Sequence, residues 1–334
     1  MRASKVLSVV IASAVALSPA TAGPALLFDP ANGRVLYAED QDDQWYPASL
    51  TKIMTALLVF EALKDGRIRL QDKIKVSEFA HSQPPSHLGL PVGAEITVET
   101  ALQALIVKSA NDAAIILAEA VDGTQQAFAQ RMNATAKRLG MTRTNYVNAN
   151  GLPAPEQVST ARDLARLTTA VVRDFPNYAH LWSMEEMRVG KRVLRNHNPL
   201  LHTYEGADGM KTGFICDSGY NLVASASRDG QKLVAVVLGE TTGSNRSARA
   251  ANLLEHGFQT LGWKTLFGTE NLDTLPLAAD AKGPVSIRRH VISWACGTMR
   301  RRVVARAKKA KRGMVAAAAK KAAAAKKAPA ADDD

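Results

Sequence analysis

Little in the 334-residue sequence favours a metal centre or an aromatic-lined binding site. Aromatic residues make up 5% of it, and there are two cysteines, Cys216 and Cys296. Neither the paired-Cys nor the His-x-x-x-His spacing of a zinc site occurs, and His81, His87, His197 and His202 form no ligand constellation. After the first residues, no apolar run is long enough to cross a bilayer. The two cysteines leave two readings open: one disulfide in an oxidising compartment, or two buried thiols.

The body of the chain also lacks net charge. Of 42 Lys and Arg, fourteen fall in 288–334 against three aspartates. That segment carries the whole surplus of +11, and the rest is balanced. What the basicity says about partners therefore concerns the tail alone. From Ala305 onward the tail is Ala/Lys low complexity ending in Asp332-Asp333-Asp334, which cannot build a core. At the other end, Arg2 and Lys5 precede an apolar stretch, Val6 to Leu17, and the small-x-small triplet Ala20-Thr21-Ala22. This predicts a secretory signal peptide over 1–22 and a mature chain that starts at Gly23 outside the cytoplasm. An uncleaved N-terminal anchor is the alternative.

Periodicity then sets the elements. "ALLFDPANGRVLYAED" (25–40) gives two β-rich runs around Asn32-Gly33, a hairpin signal. "YPASLTKIMTALL" (46–58) opens a helix at Ser49 that runs to about Lys64 and stops at Gly66. Its apolar face needs only Leu50, Ile53, Met54, Leu57 and Leu58. Residues 96–121 read as helical with a break near Ser109. Residues 126–140 form an amphipathic helix ended by Gly140. Residues 159–175 form a helix with Thr160 as N-cap and Asp163 in its first turn. The stretches 209–216, 219–227 and 231–240 are strand-like, with a turn at Arg228-Asp229-Gly230, and 247–263 is a closing helix. The order predicts an α+β domain over 23–262, with an all-helical insertion at about 72–185. A short extension, 263–304, and the tail, 305–334, follow it.

The chemistry begins with Ser49 and Lys52. At i and i+3 they share a helix face, so the amine can reach the hydroxyl. A serine attacks only if a base takes its proton, and lysine is that base only if burial or a second cation lowers its pKa. By itself the pair is weak, and the reading as a cap and a solvated charge is ahead. Ser109-Ala110-Asn111 sits at the helical break, where a loop can turn both polar side chains inward. Lys211-Thr212-Gly213, on a strand, offers the second cation, a hydroxyl and a residue without a side chain. Gly213 would let a substrate backbone lie along that strand.

The runs "YPASLTKIMTALL", "VKSANDAAIILAE", "MNATAKRLGMTRTNYVNANGL", "GMKTGF" and "GYNLVASA" occur in order. Over residues 24–262 the chain resembles the low-molecular-mass D-alanyl-D-alanine carboxypeptidases, penicillin-recognising enzymes marked by Ser-x-x-Lys, Ser-x-Asn and Lys-Thr-Gly. The resemblance implies a DD-peptidase fold, an antiparallel sheet flanked by helices with a helical subdomain. It implies Ser49 as the acylated nucleophile and Lys52 as its proton acceptor. Ser109 and Asn111 would relay protons and hold the substrate amide, and Lys211 and Thr212 would face the substrate carboxylate. The N–H groups of Ser49 and Phe214 would form the oxyanion hole, and Arg246 would be a second carboxylate ligand, with Arg249 a nearby competitor for that role. No metal or cofactor is implied. The resemblance implies peptidoglycan stem peptides as partners, β-lactams as inhibitors, and a location in the periplasm or cell envelope. The resemblance also implies a C-terminal β-rich domain that the segment after Trp263 does not match.

Two other readings are weighed against this one. A class A β-lactamase shares the motifs but needs a deacylating glutamate. In "TRTNYVNANGLPAPE" only Glu156 is present, without the partner asparagine. A non-catalytic polyanion binder would act through the tail. Outside the cytoplasm, anionic lipid or envelope polymers suit the tail better than nucleic acid. In the context of the resemblance, a Cys216–Cys296 disulfide would pin the extension beside the Lys211 strand.

Overall fold

The computed structural model describes residues 23–267 and 270–298. The signal-peptide stretch 1–22 and the tail 305–334 lie outside the described residues.

Period-2 alternation builds the central sheet. Strands β1 (Ala25–Phe28) and β2 (Val35–Glu39) form the expected hairpin, and β7 (Ala207–Ile215), β8 (Gly219–Arg228) and β9 (Gln231–Glu240) form a meander. The turn between β8 and β9 has Asp229 and Gly230 at φ 50° and 77°, the double positive-φ geometry of a tight hairpin. All pairings are antiparallel and the order is β2-β1-β9-β8-β7. In β9, Leu233, Ala235 and Val237 join one apolar cluster while Val234, Val236 and Leu238 join the other. The sheet is therefore covered on both faces. Helix α9 (Gly243–Phe267), with Leu253 and Leu254, lies against one face. The other carries α1 (Thr51–Lys64) and α6 (Ala161–Asp174).

Helix α1 differs from its expected amphipathic form. Every residue from Thr51 to Phe60 is buried, Lys52 included. A helix enclosed on all sides is the hub of a core, and its periodicity carries no face. It also starts later than the sequence suggests. Ala48–Leu50 form a 3₁₀ turn and α1 proper begins at Thr51. Thus Ser49 sits in the entry turn, and its hydroxyl makes no capping bond there.

The insertion is not wholly helical. Besides α2 (Glu78–His81), α3 (Val98–Ile106), α4 (Asn111–Asp122), α5 (Gln125–Arg138) and α7 (Ala179–Trp182), it holds an antiparallel pair, β3 (Lys73–Lys75) with β4 (Glu95–Thr97). Ile74 faces Ile96 across that pair, with charged neighbours outward, a three-residue alternation too short to register as a strand signal. A second hairpin, β5 (Glu186–Val189) with β6 (Arg192–Arg195), turns at Gly190, and α8 (Leu200–Thr203) leads into β7. Thr160 caps α6 as expected, accepting from the Asp163 N–H at 3.0 Å.

The extension is the largest departure. Residues 270–298 cross the body as a strap. Near its start, the Leu272 N–H donates to Gly33 O. Arg162, 2% exposed, pairs with Asp42 through Nε and Nη2 at 2.7 and 2.9 Å and also donates to the carbonyls of Leu272, Leu275 and Pro276. At the far end Ile287, Val291 and Cys296 are buried, and Cys296 is bonded to Cys216 with Cα atoms 5.5 Å apart. The few apolar residues that anchor the strap are spaced without period, so no element was legible there.

Candidate active site

Three chain segments converge on a cleft of about 500 Å³: the 3₁₀ turn at the head of α1, the α3–α4 junction, and the outer strand β7. Close backbone approach makes this possible. Gly213 has no room for a side chain, because a Cβ would lie 2.8 Å from Pro47 O and 3.2 Å from Leu50 N. The requirement expected from a passing substrate is thus met by the Ser49 turn itself packing on β7. Gly151, at φ +82°, lies so near that a Cβ would sit 1.9 Å from Ala48 O. Ala48 and Ser109 adopt φ +50° and +57°. Such strained non-glycine conformations cost about 1–3 kcal/mol each and persist only where surroundings enforce them.

Lys52 lies at the base of the cleft. It is fully buried, with Nζ 2.9 Å from Ser49 Oγ and 2.8 Å from Asn111 Oδ1, and within hydrogen-bond distance of Asn150 O. The Asn111 amide orientation is fixed at its other end, where Nδ2 donates to Pro84 O. Burial first, and the Lys211 charge second, hold the Lys52 amine well below the ordinary lysine range. A neutral amine has two N–H donors and one lone pair. Asn111 Oδ1 and Asn150 O are acceptors only, so they take the two N–H groups. The lone pair is left for the Ser49 hydroxyl.

Lys211 forms the second corner. It is 2% exposed and donates to Ser109 Oγ at 2.9 Å and to Thr212 O at 3.0 Å. Burial, then the neighbouring Arg246 charge, lowers it to about 7. Thr212, Gly213, Phe214 and Arg246 all line the cleft. Arg246 is buried, its Nε has no hydrogen-bond partner among the described residues, and burial brings it down to about 10. Arg249, the competing candidate, is committed elsewhere, to Glu39, Glu240 and Gly23 O. The cleft thus presents an acceptor-activated hydroxyl at one end and two desolvated cations at the other. This arrangement suits an acyl donor with a free carboxylate.

Sequence reading missed two contributors. Asn150 is 98 residues from Lys52, and only the run "NANGL" pointed to it. His197, expected in a plain polar turn, lines the cleft. Burial first, then the charges of Lys211, Lys108 and Arg246, push it down to about 4, so it is neutral at physiological pH. Glu156 is exposed and is not among the cleft residues.

The sequence profile of the peptidase S11, D-alanyl-D-alanine carboxypeptidase, family matches residues 11–242. The chain belongs to the D-alanyl-D-alanine carboxypeptidase family. Among curated family members it is 40% identical over 241 residues to the D-alanyl-D-alanine carboxypeptidase DacC of Escherichia coli K12, covering 70% of this chain and 60% of that protein. It is 35% identical to DacF of Bacillus subtilis 168, over 70% of this chain and 61% of that one. This chain therefore spans about three-fifths of the length of those relatives. Among solved structures, penicillin-binding protein 5 of Haemophilus influenzae superposes with a TM-score of 0.69 at 36% identity, covering 72% of this chain and 71% of that one. Penicillin-binding protein D2 of Listeria monocytogenes in its cefotaxime-bound form gives 0.65 at 32%, covering 71% and 97%.

Proposed function

We propose that the protein is an exported serine DD-carboxypeptidase that removes the terminal D-alanine from peptidoglycan stem peptides. The observation that carries this is Lys52, fully buried, its amine held well below the ordinary lysine range and in contact with Ser49 Oγ, Asn111 Oδ1 and Asn150 O. Lys52 takes the Ser49 proton as Oγ attacks the carbonyl carbon of the penultimate D-alanine. Negative charge develops on the carbonyl oxygen between the N–H groups of Ser49 and Phe214; one such donor is worth about 10²–10³ in rate. The C–N bond then breaks, and the leaving amine takes a proton from Lys52 through Ser109, which bridges toward Lys211. Water hydrolyses the acyl-Ser49 ester with the same groups acting in reverse. Asn111 holds the substrate amide, and Lys211, Thr212 and Arg246 hold the terminal carboxylate. β-Lactams would acylate the same serine, in keeping with the cefotaxime- and ampicillin-bound forms of the Listeria relative.

A β-lactamase reading has no support: Glu156, the glutamate it would need, is not a cleft residue. Export rests on the 1–22 pattern. We also propose that the basic tail engages anionic membrane or envelope polymers, at roughly 1 kcal/mol per basic residue near a charged surface. Truncation after Arg302 should remove salt-sensitive membrane association. The catalytic proposal is tested by D-alanine release from diacyl-Lys-D-Ala-D-Ala. Steady release supports it, and no release by a folded, penicillin-labelled protein would reduce the reading to penicillin binding.

A further inference from the structure

Strand β7 is the outer strand of the five-stranded sheet, paired with β8 alone. Its last residues, Phe214 and Ile215, line the cleft, as does Tyr220 just beyond the turn to β8. The Phe214 and Tyr220 rings pack 4.4 Å apart, and Arg246 lies 6.0 Å from the Tyr220 ring centroid. The end of an outer strand is where a sheet frays most readily. Here the turn, residues 216–219, is gripped by the strap. Cys216 is bonded to Cys296. The Ile287 N–H donates to Asp217 O, Ser286 Oγ donates to Asp217 Oδ1 at 2.6 Å, and Arg288 Nη1 donates to Asp217 Oδ2 at 3.1 Å. Ile287 Cδ1 packs against Gly219, 2.6 Å from where a Cβ would stand. The hydrogen-bond partners of Lys52, by contrast, lie on its own segment, at the head of α4 and in the 149–151 loop.

We propose that residues 286–296 are a positioning clamp for the substrate cleft. They fix the side-chain wall of Phe214, Ile215 and Tyr220 through the Cys216–Cys296 bridge and Asp217, and so set how tightly an extended peptide is held, while the Ser49–Lys52 pair and the Phe214 N–H, whose strand is held on the Ser49 turn by the close packing of Gly213, act independently of them. This rests on the DD-peptidase reading. A peptide laid beside β7 contacts that wall along its length, as in strand addition. With the clamp broken, the three side chains must be ordered at each binding event, and the cost appears in KM.

The test uses the full chain, with active sites counted by penicillin titration, on diacyl-Lys-D-Ala-D-Ala. The double variant Cys216→Ser/Cys296→Ser should raise KM by about tenfold with kcat within about twofold. Arg288→Ala should move KM the same way by less. Lys282→Ala, on the same strap but beside Asp43, should leave both unchanged. An unchanged KM in an active double variant, or kcat and KM changing alike in all three variants, overturns the clamp alone. Should the double variant not fold, the folded wild type reduced by dithiothreitol below its unfolding temperature gives the same comparison. A wild type that releases no D-alanine overturns the functional reading, and the clamp with it.

Discussion

Lys211→Met separates what the second cation costs the fold from what it does for the substrate. Burial, then Arg246, brings Lys211 from an ordinary 10.5 to about 7. The side chain is 2% exposed, so solvent screens little of this. At ~1.4 kcal/mol per pKa unit, the charged form opposes folding by about 5 kcal/mol near and below pH 7. Between pH 7 and 10.5 the unfolded chain binds this proton and the folded chain does not. Stability therefore rises with pH in that window, by up to ~1.4 kcal/mol per unit. Methionine removes the penalty, but it leaves Ser109 Oγ and Thr212 O without their donor, at roughly 1–3 kcal/mol for each. At pH 7 the variant should be more stable by about 1 kcal/mol. By pH 9 the wild-type penalty has shrunk to about 2 kcal/mol and the order reverses. Urea unfolding at pH 7, 8 and 9 reads the crossing, while D-alanine release falls by about 10²-fold or more through the lost carboxylate contact. A variant less stable at pH 7 with an unaltered pH slope would refute the account of Lys211 as a desolvated cation.

Three other outcomes follow from the same structure. D-Alanine release should fall on the acid side as Lys52, held low by burial and by Lys211, takes up a proton and loses its lone pair; a rate flat down to acid unfolding contradicts this. Arg162→Ala strands Asp42 and three strap carbonyls, which should cost about 3–5 kcal/mol and lower the melting temperature by about 10 °C; a shift under about 2 °C in a thermal scan would contradict the strap's anchoring role. Gly151→Ala must displace the Ala48–Ser49 backbone as well as take up a positive φ at about 1–2 kcal/mol. Penicillin acylation should slow even where the variant folds, and wild-type acylation in a folded variant would contradict the packing.

How legible the protein was depended on the range of each contact. The hairpin at Asn32-Gly33, the Thr160 cap and the tight turn at Asp229-Gly230 are local events, and their residue types state them. So is the break at Ser109, whose positive φ turns its hydroxyl toward Lys211. The burial of Lys52 was legible only through the co-occurrence of three distant motifs, since α1 has no polar face from which to read it. Asn150 was hidden because its contribution is a backbone carbonyl, which any residue type supplies. The strap escaped because single buried side chains, a buried ion pair and one bridge hold it, and none of these has a period. Gly213 was read as a glycine with a purpose, but the neighbour that demands it is Pro47, 166 positions earlier, which no local pattern reveals.

Every later step depends on acylation of Ser49 activated by Lys52. Fluorescent penicillin labelling of the wild type, Ser49→Ala and Lys52→Met reads that step, with folding confirmed by thermal unfolding. The wild type should carry a covalent label that maps to Ser49, Ser49→Ala should carry none, and Lys52→Met should label slower by orders of magnitude. Equal labelling of wild type and Ser49→Ala would contradict the mechanism at its first step.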